Sequence, residues 1–529
     1  MIIDLLRQIR ERSLTPERIR QFDQDEIFPE EVIRELLGPE IGLQLLFLPE
    51  AYGGLGGGAR DMAAVSEELG KICLGIATAF LVVHLGSDPI LVGGTVEQKQ
   101  KWLTKVAEGA LVAYAVTEAE AGSNLSNLKT SATPVVDDQG AVAGYHINGN
   151  KQFISSGNHA EFLTVLAQAP EGPTFFIVEN TMKGFSAGKP EQKHGIRSSN
   201  TTSLNFDNVF VPIENLVGEV PGRGLAQSNE VFGYTRLMVA ALGLGAGIAA
   251  LERVIPYAKE RVQFGSPLIE KQGYTHRLIV PHVAKLEAAR AYIEEVAGRL
   301  DAGEEDLQPE GSIAKLFATE AANACADAAI QALGGYGYMR EYDVEKIKRD
   351  VKITTIYEGT SEIQQLIVGT WRWKNTVQSK GAFYGLRAER MDSAHESHPD
   401  LKADTIAGTL RLVNRLFQVV HEKKATRRQH VMFQLATLAS IAETAAALVE
   451  KAVAAAADSP ERADYLALCS RINAGLGAQQ AFVIAGEILY GTGLWSDPEA
   501  SGVLDSSSFD YPHSQTGLMA DMDTLLTKI

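Results

Sequence analysis

Glu358 stands between an aromatic and a glycine in the run Ile356-Tyr357-Glu358-Gly359-Thr360-Ser361-Glu362, just ahead of a segment, Ser361 to Val368, patterned as a helix. A carboxylate set among apolar groups has its charged form disfavoured and its pKa raised, which suits a base that must take a proton and hold it. The same residue also reads as a first-turn acid complementing a helix dipole, and the local sequence alone favours that plainer role. Upstream, Gln331-Ala332-Leu333-Gly334-Gly335-Tyr336-Gly337 and Arg349-Asp350 complete a stretch dense in glycine, aromatic and charged residues.

Two further runs carry chemistry-bearing side chains. Tyr114-Ala115-Val116-Thr117-Glu118-Ala119-Glu120-Ala121-Gly122-Ser123-Asn124 begins as a strand and becomes a loop of small and hydroxyl residues. Such a loop lets backbone N–H groups and the Thr117 or Ser123 hydroxyl meet a polar ring system at close range. Arg261-Val262-Gln263-Phe264-Gly265 follows a long predicted helix, and the fork of Arg261 suits a pyrophosphate.

Other candidates fail on context. Gly243-Leu244-Gly245-Ala246-Gly247 has Ile248 in the sixth position and no preceding strand, so it reads as close helix packing, not a dinucleotide turn. The glycine loop from Pro49 to Gly58 lacks the lysine of a phosphate cradle and predicts a flexible turn. His276 and His282 have no partner cluster for zinc, and no Gly-x-Ser-x-Gly elbow is present. The basic run from His421 to Arg428 reads as a solvated face before it reads as a membrane contact.

The elements that must position these residues fall into blocks. The 529 residues suffice for about three or four domains of ordinary size. With 49 basic and 66 acidic side chains the net charge is −17, which argues against nucleic acid as a partner. Cys73, Cys325 and Cys469 lie far apart and read as buried thiols in a reducing compartment. Charges throughout the first 22 residues argue against a signal peptide, and no uninterrupted apolar run approaches a membrane span, so the expectation is a soluble, cytoplasmic protein.

Residues 1–110 read as an N-terminal helical domain. Residues 111–222 read as a β-domain with short strands at Leu111–Val116, Gly144–Ile147, Phe162–Ala167, Thr174–Val178 and Ser203–Phe206, separated by turns such as Asn148-Gly149-Asn150. That spacing predicts an antiparallel barrel or sandwich. Residues 223–375 predict a four-helix bundle, 376–404 a polar linker, and 405–529 an added helical domain. The fold class is α+β, mainly α.

These runs, in order and spacing, resemble the flavin-dependent acyl-CoA dehydrogenases. The matching blocks are Tyr52-Gly53-Gly54-Leu55-Gly56, Thr117 to Ser123, Asn148-Gly149-Asn150-Lys151-Gln152-Phe153-Ile154-Ser155, Arg261 to Gly265, Gly334-Gly335-Tyr336-Gly337, and Ile356 to Gln364, spanning about residues 22–375. The resemblance implies that Glu358 is the base removing the proton α to a CoA thioester while hydride leaves the β carbon for FAD. It implies FAD contacts from Tyr114, Val116, Thr117, Gly122, Ser123, Phe153, Ile154 and Ser155. Arg261, Gln263, Gln331 and Gly335 would reach the FAD of a neighbouring subunit, Phe264, Gln272 and Gly334 would also bind the cofactor, and Thr360 and Glu362 would lie on the adenosine side. Thr78, Ser123, Arg236, Tyr357 and Gly359 would meet the acyl-CoA.

The partners so implied are an acyl-CoA substrate, an electron-transferring flavoprotein and a second copy in a homodimer or homotetramer. A weak membrane association through the C-terminal domain is also implied. Phe153 stands where tryptophan is commoner, Asp343 where proline is frequent, and Glu362 where many members have glutamine. Thr235 occupies the place where some relatives carry the base. No arginine in Gly75–Val83 awaits a second carboxylate, which favours an uncharged aliphatic acyl chain. An oxidase handing electrons to oxygen, or a non-catalytic flavoprotein scaffold, would share much of this pattern.

Overall fold

The computed structural model describes residues 2–529, the Asp458 side chain excepted. They form two compact units, one ending at Met238 and the other running from Val239 to Ile529. The chain is mainly helical, with one seven-stranded sheet and a two-stranded hairpin among the described residues.

In the first unit, local sequence sets the helix ends. Thr15 accepts from Arg18 N ahead of Pro16, and Gly38 ends helix Glu30–Leu37. Thr95 and Gln98 cap each other reciprocally at the start of helix Val96–Ala107. The glycine loop is packed where a flexible turn was expected. A Cβ on Gly54 would lie 1.9 Å from the Leu48 carbonyl oxygen, so only glycine fits against that backbone.

The sheet comprises β1 (Val112–Ala115), β2 (Ser131–Val136), β3 (Val142–Ser155), β4 (Phe162–Ala169), β5 (Gly172–Glu179), β6 (Phe185–Ala187) and β7 (Thr201–Pro212). Its order is β1-β4-β2-β3-β7-β6, with β5 paired to β4. The sheet is mixed, correcting the antiparallel expectation: β1 runs parallel to β4, with Val112 opposite Phe162, and β2 meets β4 in parallel at Ser131. Asn148-Gly149-Asn150 is a bulge inside β3, not a turn between strands. The register shifts between Ile147 and Gly149, and Gly149, at φ 143°, passes so close to Thr130 that a Cβ would sit 2.6 Å from its Cα. Ile147, Leu163, Val165, Phe176, Val178, Leu204 and Val209 fill the core behind the sheet.

In the second unit, Gly243 and Gly247 behave as close-packing residues. A Cβ on Gly243 would come within 3.1 Å of Thr319, and one on Gly247 within 3.2 Å of Ala322, both in helix Gln308–Leu333. The stretch expected as a linker holds helix Ala382–Ser397, which buries Tyr384, Ala388 and Met391. Helices Ala403–Glu422, Gln429–Asp458 and Pro460–Leu489 follow. Three helices are long and apolar enough to span a membrane by length and composition, against the expectation of none: Leu74–Gly93, Gly224–Glu260 and Gln429–Ala457. Polar residues such as Thr78 and His84 break the runs without lowering the mean hydropathy below that of a span. Their apolar windows are 78%, 78% and 83% buried inside the protein.

A buried carboxylate joins the bundle helices to the added ones. Arg372 donates to both Glu443 oxygens at 2.7 and 2.8 Å, and to Glu310 at 3.0 Å. Tyr384 and Tyr292 donate to the same carboxylate at 2.9 and 3.2 Å, and Arg387 lies 2.6 Å away. Burial pushes the Glu443 pKa up, but Arg372 and Arg387 outweigh it and bring it down to about 2. Its contribution to stability is therefore complete above its ordinary pKa of 4.5 and is lost as pH falls towards 2. Replacing Glu443 with Ala leaves two buried guanidinium groups uncompensated and should cost about 3–5 kcal/mol in denaturant unfolding. The Glu443→Gln protein should lack the acid-side loss of stability that the unmodified chain shows over that pH window.

Candidate active site

Glu358 lies where helix Val344–Val351 and the 3-10 turn Lys352–Thr355 give way to helix Ser361–Gln378. Its backbone is left-handed, at φ 52°, and Gly359 follows at φ 92°. A non-glycine residue rarely holds that conformation without support from its surroundings. The support is visible. The Gln364 amide donates to the Glu358 and Gly359 carbonyl oxygens, each at 3.0 Å, and the Lys315 ammonium donates to the Gly359 carbonyl at 2.7 Å. Gly359 is obligatory: besides its φ, a Cβ there would lie 2.7 Å from the Gln364 amide nitrogen.

Thr360 is the N-cap, accepting from Ile363 N, and Glu362 occupies the exposed first turn. The Glu362 carboxyl is held below the usual range by its own backbone N–H and by the Thr360 hydroxyl, with Lys352 and Lys315 adding to the effect. Tyr357, Glu358 and Gly359 are half-buried.

On the same unit Arg261, Gln263, Phe264, Gln272, Gln331, Gly334 and Gly335 are all exposed. Phe264 tips the hairpin Val262–Gln263/Ser266–Pro267 with 98% of its surface open. The Arg261 guanidinium lies 5.9 Å from the centre of the Tyr336 ring. Gly334 takes φ 60°, and Gly337 packs so closely that a Cβ would meet Ile330 O at 2.4 Å. The Gln272 amide donates to both Asp523 carboxylate oxygens at 3.2 Å.

In the first unit, Gln152 N donates to Thr117 O at 2.9 Å, which sets the Thr117 loop beside the β3 segment that carries Phe153, Ile154 and Ser155. The β3–β7 register shifts between Lys151 and Ile154, and there Phe153 takes φ 60° with 62% of its surface exposed. Ile154, Tyr114 and Val116 are buried, Thr117 and Ser155 half-buried, and Gly122 and Ser123 exposed. An open aromatic face flanked by hydroxyls and bare backbone suits a flat polar ring system such as an isoalloxazine. Thr78 donates its hydroxyl to Leu74 O at 2.8 Å, and Arg236 is buried with its guanidinium 5.8 Å from the Phe232 ring centre.

The sequence reading missed four residues that hold these segments: Lys315 and Gln364 at the Glu358 turn, and Lys151 with Glu118 at the Thr117 loop. Lys151 is fully buried and donates to Glu118 at 2.7 Å and to Val116 O at 3.0 Å. Glu118 also accepts from Lys129 N at 2.6 Å and Thr130 N at 3.1 Å. Burial pulls the Lys151 pKa down to about 8 against the upward pull of Glu118. The usable signal was a lone lysine inside an otherwise apolar or extended stretch, as in Ile313-Ala314-Lys315-Leu316-Phe317. Replacing Lys151 with Met leaves the Glu118 charge buried without its cation, so unfolding should cost about 3 kcal/mol less. The Lys151→Met/Glu118→Gln double variant should recover much of that loss in a double-mutant cycle.

Residues 1–110, 113–209 and 222–371 match the N-terminal, middle and C-terminal domains of acyl-CoA dehydrogenase. An acyl-CoA dehydrogenase of Bacillus subtilis is 38% identical over 380 residues, covering 70% of this chain and 97% of that protein. A solved structure titled for the electron transferring flavoprotein of Acidaminococcus fermentans aligns with TM-score 0.66 at 33% identity, over 70% of this chain and 96% of the other. The FAD complex of an acyl-CoA dehydrogenase from Bacillus anthracis shares the fold over 100% of this chain and 94% of its own, with TM-score 0.87 and 24% identity. The chain belongs to the acyl-CoA dehydrogenase family.

Proposed function

We propose that this chain is an FAD-dependent acyl-CoA dehydrogenase in which Glu358 is the base. The observation that carries the reading is the anchored left-handed turn at Glu358, which fixes one carboxylate at the head of a helix. The Glu358 carboxylate takes the proton from the carbon α to the thioester carbonyl, leaving the trans-2-enoyl thioester as the β carbon loses hydride. When bound, FAD supplies the acceptor for that hydride. The Glu358 backbone N–H donates to the thioester carbonyl, raising the acidity of the α proton. Tyr357 lines the acyl chain, and Ser123 and Arg236 hold the CoA portion.

The exposed Phe153 ring, Ser155 on the same strand and the loop from Thr117 through Gly122 and Ser123, tied to that strand at Gln152, suit the flavin ring. The exposed row of Arg261, Gln263, Phe264, Gln331, Gly334 and Gly335 suits the FAD of a second copy, so that a homodimer or homotetramer completes the site. Electrons leave to an electron-transferring flavoprotein, and the enzyme works in the cytoplasm. The C-terminal domain adds a weak membrane contact.

Glu358→Gln should retain bound flavin and lose about 10²–10⁴-fold in turnover; wild-type turnover in a folded, yellow variant would remove the assignment. During aerobic turnover the wild type should release hydrogen peroxide far below one mole per mole of enoyl product. Stoichiometric peroxide would make oxygen the acceptor and the protein an oxidase.

A further inference from the structure

We infer that Lys315 and Gln364 are positioning residues for the base: together they hold the Glu358–Gly359 turn in the one backbone conformation that sets where the Glu358 side chain leaves the chain. The inference rests on Glu358 being the base.

Three observations converge on that turn. Lys315 sits in helix Gln308–Leu333 among Ile313, Ala314, Leu316, Phe317 and Ala318, and no part of it is open to solvent. An ammonium is expensive to bury, and a helix needing only packing there would carry leucine or methionine. The charge is directed instead at the Gly359 carbonyl, 2.7 Å away, in a charge-assisted hydrogen bond. Gln364 is equally buried. Its amide nitrogen contacts two consecutive carbonyls, while its oxygen is buried without a hydrogen bond. Leaving that acceptor unmade is unfavourable, so the residue is explained by its donors.

Helix capping does not account for Gln364, because Thr360 already caps the helix and a side-chain donor satisfies no free backbone N–H. Upstream, Ile356 N and Tyr357 N both bond to Ile353 O, at 2.8 and 3.0 Å, so the turn is fixed on its other flank as well. What remains soft is the left-handed pair, Glu358 at φ 52° and Gly359 at φ 92°. A residue held at positive φ against its own preference relaxes once its carbonyl anchors are removed. Relaxation of the turn displaces the carboxylate together with the Glu358 N–H offered to the thioester carbonyl, while leaving the flavin contacts and the CoA contacts at Ser123 and Arg236 untouched.

The test uses the full-length, FAD-loaded enzyme carrying Lys315→Met or Gln364→Leu, with Glu358→Gln beside them. Each clamp variant should keep its flavin and its KM while kcat falls about 10–100-fold, the size of effect that misplacing a reacting group produces. Lys315→Arg should restore part of the loss. A second readout isolates the proton step: the 3-thia analogue of the acyl-CoA that bleaches wild-type flavin fastest, which can lose an α proton but has no β hydride. Its long-wavelength absorbance with oxidised flavin should shrink in both clamp variants. Wild-type kcat and full absorbance in the clamp variants, with Glu358→Gln inactive, would overturn this inference alone; an active Glu358→Gln would overturn the assignment of the base beneath it. Should Lys315→Met fail to fold, Gln364→Leu decides, since it replaces a buried amide by an apolar side chain of similar size and removes the orphaned acceptor.

Discussion

The carboxylate of Glu443 stays ionised away from water, and the second unit is organised around the groups that allow this. Two guanidinium groups and two phenols surround it, drawn from three helices: Tyr292 from Val280–Asp301, Arg372 from Ser361–Gln378, and Tyr384 with Arg387 from Ala382–Ser397. In a medium of low dielectric such a cluster is stable only when every member is in place, so it behaves as a single unit. Apolar packing around it is tolerant of small shifts; a bidentate pair at 2.7 and 2.8 Å is not. The cluster thereby sets the axial position of helix Ser361–Gln378, because Arg372 lies on it.

That helix begins at the turn bearing Glu358. With its middle fixed by Arg372 and its first residues tied to Lys315 and Gln364, the turn has no slack in which to relax. A left-handed glutamate is a local strain that an isolated peptide would release within one rotation. Here the strain is held by a tertiary hydrogen bond from Lys315 and by local ones from Gln364 in the following helix. The first unit repeats the device. The bulge that exposes Phe153 at φ 60° is held by buried Lys151, whose ammonium ties Val116 and Glu118 to the strand. In both units a buried lysine sits where a segment of irregular backbone must be kept rigid.

Helix boundaries were readable because capping residues and apolar periodicity agree, as at Gly38 in the first unit and Thr360 in the second. The sheet was less so. β2 carries Pro134 and alternates weakly, and Asn148-Gly149-Asn150 has the composition of a turn although its backbone continues as a bulged strand. Local residue types cannot distinguish those outcomes, because the neighbour that decides them, Thr130, lies far off in sequence. Likewise the polar stretch after Asn375 looks unstructured by composition, yet Tyr384 and Arg387 find their partner in Glu443, more than fifty residues on. At the Glu358 turn the anchor on a distant element, Lys315, was not legible, because it lies 44 residues upstream of Gly359 on another helix.

The matched family domain ends at residue 371, and the central cation of the ionic cluster, Arg372, is the next residue. Tyr384, Arg387 and Glu443 lie further on, whereas Tyr292 and Glu310 lie within the matched bundle. The two sets share one charge balance. A bundle stripped of the later helices would present Arg372 and Glu310 on a surface that Tyr292, Ala289 and Val296 make largely apolar. Added helices joined by a fully desolvated pair cannot undock at low cost, since separation must either rehydrate both charges or strand one of them. The later domain is therefore a structural continuation of helix Ser361–Gln378, joined to it through Arg372.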